Sequence, residues 1–396
     1  MKISKQAMQV KPSATLSVFA EAKKIQLKGE HVINFGVGEP DFISPSPALS
    51  YAKRAIDNGK THYNPVSGLP DLKIEVCKYY KNRFGLNFSP SDVIIGAGVK
   101  PLLFEALYSL LDNNDEVVVF TPAWVSYVEQ IRLCGGKEIL IDTTTNSFQP
   151  DIEALCQNIN PRTVGIIINN PCNPTGAVYS QSSLNAIADI VLEKDIWIIY
   201  DEIYERLVYG EEKHHNLLEM RPDLKNNVII MNGVSKAFAM TGWRIGYALG
   251  PEEIISRMIS IQGHITSDAA SISQWASLGA LKEADADVEN MKNEFAMRRE
   301  LLVELLAEIP YISFNQPKGT FYLFLDIKKC LGKRHGQILV EDDISFCSSL
   351  LQSKKVATVP GSAFMAPGFI RISYANSRED ILEGITRLRQ YLTELS

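Results

Sequence analysis

Four stretches of this 396-residue chain end an apolar, β-branched run with residues that carry chemistry. Asp92 to Ile95 runs into Gly96-Ala97-Gly98-Val99-Lys100, and Val164 to Asn169 ends in Asn169-Asn170-Pro171-Cys172-Asn173-Pro174-Thr175-Gly176. Ile196 to Tyr200 delivers Asp201-Glu202-Ile203-Tyr204, and Val228 to Met231 delivers Asn232-Gly233-Val234-Ser235-Lys236. In an open parallel sheet, ligands bind beyond the carboxyl ends of the strands, where loops and helix N-termini gather. A carboxylate, amides, a phenol, a hydroxyl and two amines thus meet on one rim, a set able to bind a small polar ligand and exchange protons with it. Taken singly, Asp201 reads as a helix cap and Lys236 as a solvated amine; their recurrence at successive strand ends argues for a site. Familiar phosphate loops do not account for it. Pro101 takes the place of the third glycine of a dinucleotide fingerprint after Gly96-x-Gly98, no G-K-[ST] follows, and Gly36-x-Gly38 runs into Glu39-Pro40-Asp41 instead of a helix.

The elements that must hold these residues are legible in the apolar pattern. Glu116 to Phe120, Glu138 to Ile141 and Ile245 to Leu249 add further strands, mostly apolar throughout, as suits strands covered on both faces. Between them, Pro101 to Leu111 and Ser183 to Leu192 carry apolar residues at helical spacing, with Pro101 suited to a first turn. This alternation predicts an α/β fold: a mostly parallel central sheet with helices on both faces. After Gly250 the pattern changes to long charged helices, clearest at Asp285 to Glu308. Strands at Thr320 to Asp326, Lys355 to Val359 and Phe369 to Tyr374 follow, then a helix from Arg378 to Leu395. The expected division is a large domain over residues 46-283 and a smaller α+β domain formed by residues 1-45 and 284-396.

Composition narrows the function classes. With 45% hydrophobic and 22% charged residues the chain can bury a large core. The 40 Lys and Arg against 46 Asp and Glu, net −6 without a long block of one sign, argue against nucleic acid or an anionic membrane surface as partner. No apolar stretch approaches the ~20 residues of a membrane-spanning helix, and Met1 to Val10 has charges and amides where a signal peptide is apolar; the expected location is cytoplasmic. Six scattered cysteines form no C-x-x-C pair and six histidines no H-E-x-x-H, so no metal is expected.

Ser235-Lys236-Ala237-Phe238-Ala239-Met240-Thr241-Gly242-Trp243-Arg244-Ile245-Gly246-Tyr247 resembles the class I aminotransferases, pyridoxal-phosphate enzymes of fold type I. Gly38-Glu39-Pro40-Asp41, Tyr63-Asn64-Pro65, Asn173-Pro174-Thr175-Gly176, Asp201-Glu202-Ile203-Tyr204 and Arg371-Ile372-Ser373-Tyr374 match in family order, from about residue 10 to the end. Lys11-Pro12-Ser13-Ala14-Thr15 and Lys100 resemble the aspartate aminotransferase branch.

The resemblance implies pyridoxal 5'-phosphate as cofactor, joined to Lys236 as an imine; the freed Lys236 amine would then move the substrate's α-proton. Asp201 would keep the pyridinium nitrogen protonated, Tyr204 and Asn173 would bond the ring oxygen, and Trp124 would stack on the ring. The phosphate would meet the amides of Val99 and Lys100 at a helix N-terminus, with Arg244 and Ser235. Tyr63 would reach the phosphate of the neighbouring subunit, which implies a homodimer with shared active sites. Arg371 would fork onto the substrate's α-carboxylate, helped by Gly38 and Asn173, while Lys100, Lys11, Ser13 and Thr15 would meet a side-chain carboxylate.

The implied reaction exchanges an amino group between aspartate and 2-oxoglutarate, so amino acids and 2-oxo acids are the expected small-molecule partners. An aromatic amino acid or prephenate aminotransferase is the alternative within the family. A β-eliminating lyase or cyclopropane-forming synthase on the same scaffold would differ in its product. A non-catalytic regulator that keeps the scaffold is disfavoured by the joint presence of Lys236, Asp201, Tyr204, Arg244 and Arg371.

Overall fold

Alternate residues of the central strands belong to different packing groups, as a strand buried on both faces requires. Ile166, Ile168, Ile198 and Tyr200 join one apolar cluster, while Ile167 and Ile199 join another on the opposite face. The computed structural model describes residues 1–4, 7, 8, 10 and 14–396, without the side chains of 14–17 and 19.

The strands of the main sheet are β1 (Val93–Gly96), β2 (Glu116–Thr121), β3 (Lys137–Asp142), β4 (Thr163–Asn169), β5 (Trp197–Asp201), β6 (Val228–Gly233) and β7 (Gly246–Leu249). They form a seven-stranded sheet in the order β1-β7-β6-β5-β4-β2-β3, parallel except for β7, which runs antiparallel to both β1 and β6. All seven expected strands are present, and the α/β class stands. Helices at Val99–Leu110, Ser126–Leu133, Ile152–Asn158 and Gln181–Lys194 supply the crossovers. The first of these starts two residues before the expected Pro101, with Gly98 at the N-cap at a positive φ of 94°.

A second, antiparallel sheet has the order β10-β11-β9-β8, from β8 (Ser313–Phe314), β9 (Tyr322–Asp326), β10 (Val359–Pro360) and β11 (Phe369–Ser373). Its core takes Ile370 and Ile372 from β11, Phe295 and Leu302 from the Asp285–Ala307 helix, Ile381 and Ile385 from the Arg378–Thr393 helix, and Ile33 and Phe35 from the N-terminal segment. Lys355 to Val359, expected as one strand, is divided. Val356–Ala357 pairs in parallel with Ile33–Asn34, whereas Val359–Pro360 forms the edge of the second sheet. An edge suits Pro360, which has no amide proton to donate to a ladder.

β11 links this fold to the site. Ile370 and Ile372 face the second core, so the residue between them, Arg371, faces the other way. There it meets the carboxyl ends of β4 and β5.

Candidate active site

Parallel register aligns the strand ends: Asn169 of β4 lies opposite Asp201 of β5, and Asp201 opposite Met231 of β6. Beyond them opens a cavity of about 430 Å³. Gly38, Val99, Lys100, Trp124, Asn173, Asp201, Tyr204, Ser235, Lys236, Arg244 and Arg371 all line it, although they span more than three hundred positions of sequence.

Asp201 sits at the floor, 3% exposed. Tyr127 donates its hydroxyl to Oδ2 at 2.6 Å, and the Ile203 amide donates to Oδ1 at 3.1 Å. Burial pushes this carboxyl up to about 6, against those two hydrogen bonds, which favour the anion. Lys236 projects into the same cavity and donates from Nζ to the Gly38 carbonyl at 2.6 Å. Its pKa is brought down to about 8, chiefly by burial, then by the positive charge of Arg371; Glu39 and Asp201 pull the other way. The amine is therefore far easier to deprotonate than a surface lysine.

Arg371 is held as a planar fork. Nη1 donates to Asn173 Oδ1 at 2.9 Å and Nη2 to the Gly36 carbonyl at 3.0 Å, while the guanidinium lies 4.2 Å from the centroid of the Tyr322 ring. Its buried Nε has no partner among the described residues. A buried, orphaned donor on a charged fork is costly unless an anion arrives to accept from it. Burial also lowers the guanidinium's pKa from its ordinary value.

At the opposite wall, the Val99–Leu110 helix directs its free N-terminal amides at the cavity. Gly98 must be glycine there. A Cβ would lie 2.5 Å from Arg244 Nη2, so the guanidinium rests directly against the turn that opens the helix. Arg244 donates from Nη1 to the Thr241 carbonyl at 2.9 Å, and Thr241 is tied by its hydroxyl to Glu39 Oε2 at 2.7 Å. A helix N-terminus beside a guanidinium and the Ser235 hydroxyl could hold a phosphate-sized anion. At the mouth, Lys100 is exposed, with Nζ 4.9 Å over the Trp124 ring.

Four of the expected residues are not among the described lining of this cavity. Tyr63 is 91% exposed and does not line it. Lys11 and Ser13 lie outside the described residues, and Thr15 belongs to the Ala14–Gln26 helix, its side chain likewise outside the description. Conversely, Tyr127 and Tyr322 line the cavity without having been singled out. Tyr127 follows Trp124 at one helical turn, a spacing that reads equally well as core packing, and Tyr322 sits among apolar strand residues.

Residues 30–388 match the family described as aminotransferase class I and II. The chain is 40% identical over 393 residues to an aspartate aminotransferase of Geobacillus stearothermophilus, covering 99% of each. It is 41% identical over 388 residues to a probable aspartate/prephenate aminotransferase of Rhizobium leguminosarum bv. phaseoli, covering 97% of this chain and 96% of that protein. Among solved structures, the aspartate aminotransferase of Thermus thermophilus with maleate superimposes with a TM-score of 0.92 at 36% identity, covering 99% of this chain and all of that one. The fold and site define a transaminase of fold type I. The chain belongs to the class I and II aminotransferase family, within its aspartate aminotransferase branch.

Proposed function

We propose that the chain is a pyridoxal 5'-phosphate-dependent enzyme that exchanges the amino group between L-aspartate and 2-oxoglutarate, giving oxaloacetate and L-glutamate. The observation that carries this reading is the half-buried, easily deprotonated Lys236 amine, which shares its cavity with Asp201 and the Arg371 fork.

The residues present fit the cofactor. The helix N-terminus at Val99 and Lys100, Arg244 and Ser235 would hold its phosphate, the Asp201 carboxylate its ring nitrogen, Tyr204 and Asn173 its ring oxygen, and Trp124 its face. Lys236 would be the point of attachment. When bound, pyridoxal phosphate supplies an electron sink for the electron pair left at the substrate's α-carbon. Asp201 would keep the ring-nitrogen proton in place, with its carboxylate held for that task by Tyr127 and the Ile203 amide. Arg371, oriented by Asn173 and the Gly36 carbonyl, takes the α-carboxylate in a two-pronged contact and gives its orphaned Nε an acceptor. Lys236 Nζ, once free, would take the substrate's α-proton as a base and, as the resulting ammonium, give a proton back to the cofactor carbon across the substrate nitrogen; a pKa of about 8 suits both roles.

Preference for a second carboxylate rests on Lys100, a cation at the mouth above Trp124. The exposed Tyr63 has no role in its own cavity, which supports a homodimer in which it serves the partner's phosphate site. The second reading, an aromatic amino acid or prephenate aminotransferase, draws on the name of the Rhizobium leguminosarum relative.

A substrate panel read by cofactor absorbance, on the parent and on Lys100→Ala, tests the assignment. Aspartate and glutamate should react fastest, and the variant should lose them selectively. Fast conversion of phenylalanine or prephenate with inert aspartate would favour the second reading. Borohydride reduction should fix the cofactor on the Lys236 peptide; a label elsewhere, or none, overturns both.

A further inference from the structure

Tyr322 touches both halves of the site yet belongs to neither set of assigned residues. It lies on β9, where Tyr322 pairs with Ser373 and Phe324 with Arg371, so Tyr322 and Arg371 are diagonal neighbours on one face of the second sheet. The Arg371 guanidinium sits 4.2 Å from the ring centroid, within cation–π range. At its other end the Tyr322 hydroxyl is 3.2 Å from the Tyr204 hydroxyl, and the two rings meet edge to face with centroids 5.9 Å apart.

The side chain has no freedom to do otherwise. It is 1% exposed, and a Cβ on Gly38 would come within 2.8 Å of its hydroxyl, so the Gly36–Gly38 loop closes over it only because residue 38 is glycine. The charged and titratable groups around it are Arg371, Tyr204 and Glu39.

Proton bookkeeping fixes the direction of the Tyr322–Tyr204 bond. A phenol has one proton to donate. On the functional reading above, Tyr204 spends its proton on the ring oxygen of the cofactor, so toward Tyr322 it can only accept. Tyr322 must then be the donor, and the guanidinium over its ring strengthens that donation by drawing charge from the phenol.

We propose that Tyr322 is a two-ended positioning residue: its ring face orients Arg371 for the substrate's α-carboxylate, and its hydroxyl orients Tyr204 toward the cofactor. This rests on the assignment of Arg371 and Tyr204 under the proposed function.

The two ends separate experimentally. Tyr322→Phe keeps the ring and removes the hydroxyl; Tyr322→Leu removes both. In the holoenzymes, Tyr322→Phe should move the pH midpoint of the bound cofactor's absorbance upward by a few tenths of a unit, because Tyr204 donates more weakly once it no longer accepts. Affinity for maleate, used as a non-reactive dicarboxylate, should be unchanged. Tyr322→Leu should in addition weaken maleate binding roughly tenfold. In a Tyr204→Phe background, Tyr322→Phe should add no further shift. An unmoved midpoint in Tyr322→Phe, an equal shift without Tyr204, or parent-like maleate binding by Tyr322→Leu overturns the proposal. Absence of borohydride-fixed cofactor from Lys236 in the parent instead overturns the functional reading, and this inference with it.

Discussion

Asp201 and Glu202 are consecutive, both buried and both carboxylates, yet they sit in opposite kinds of surroundings. Glu202 is saturated. It accepts from the Tyr80 hydroxyl at 2.7 Å and from Asn216 Nδ2 at 3.2 and 3.0 Å, and it pairs with His214 Nε2 at 2.8 Å. Asp201 has one side-chain donor and one amide, and the rest of its accepting capacity faces the cavity. Neighbouring residues leave a strand on opposite sides, so one carboxylate was delivered to a packed polar network and the other to a ligand. Burial alone therefore does not mark a functional group. Unspent hydrogen-bonding capacity facing an accessible cavity does.

Substitutions at the two positions should have opposite signatures. Asp201→Asn should lower turnover by roughly a hundredfold or more, since it removes charge aimed at the reacting system. Thermal stability of the cofactor-free protein should hold or rise, because burial already disfavours that anion. Turnover within a few-fold of the parent would break the contrast from the cavity side. Glu202→Gln should do the reverse, costing about 1–3 kcal/mol of stability as donors lose their acceptor, with turnover little changed. Denaturant midpoints at constant slope measure the first quantity, and steady-state rates below the melting range the second.

Glu105 extends the comparison to a carboxyl with no hydrogen-bond partner among the described residues. It is fully buried in the Val99–Leu110 helix, and burial pushes it up to about 8. Between its ordinary 4.5 and about 8, the folded state holds a proton that the unfolded state has released. Stability should therefore fall as pH rises through that window, by at most about 1.4 kcal/mol per pH unit. Glu105→Gln should remove this slope and raise the melting temperature more at pH 8.5 than at pH 5. A gain independent of pH would show that the side chain is solvated.

Much of the fold was legible because its signals are local. Continuous apolar runs such as Ile166-Ile167-Ile168 identify doubly covered strands, and the residues just after them are the ones that the strand ends deliver. Where a local signal had two readings, the chain alone misled. Lys355 to Val359 has the composition of one strand, but its halves pair with different partners, Ile33–Asn34 and Phe369–Ser373. Tyr127 and Tyr322 escaped notice because an aromatic at core spacing looks the same whether its hydroxyl meets a carboxylate, another phenol or nothing.

The order of strands and helices, and the inventory of groups brought to the strand ends, were written in the sequence, since periodicity and turn chemistry act over a few residues. The placement of Lys236 against Gly38 and of Arg371 against Asn173 spans 198 residues in each case, and that of Tyr322 against Tyr204 spans 118. Those contacts, and with them the difference between a saturated carboxylate and one left open to a ligand, were decided only when distant segments packed together. Hydrogen-bond satisfaction is a property of three-dimensional neighbours, and no local pattern records it.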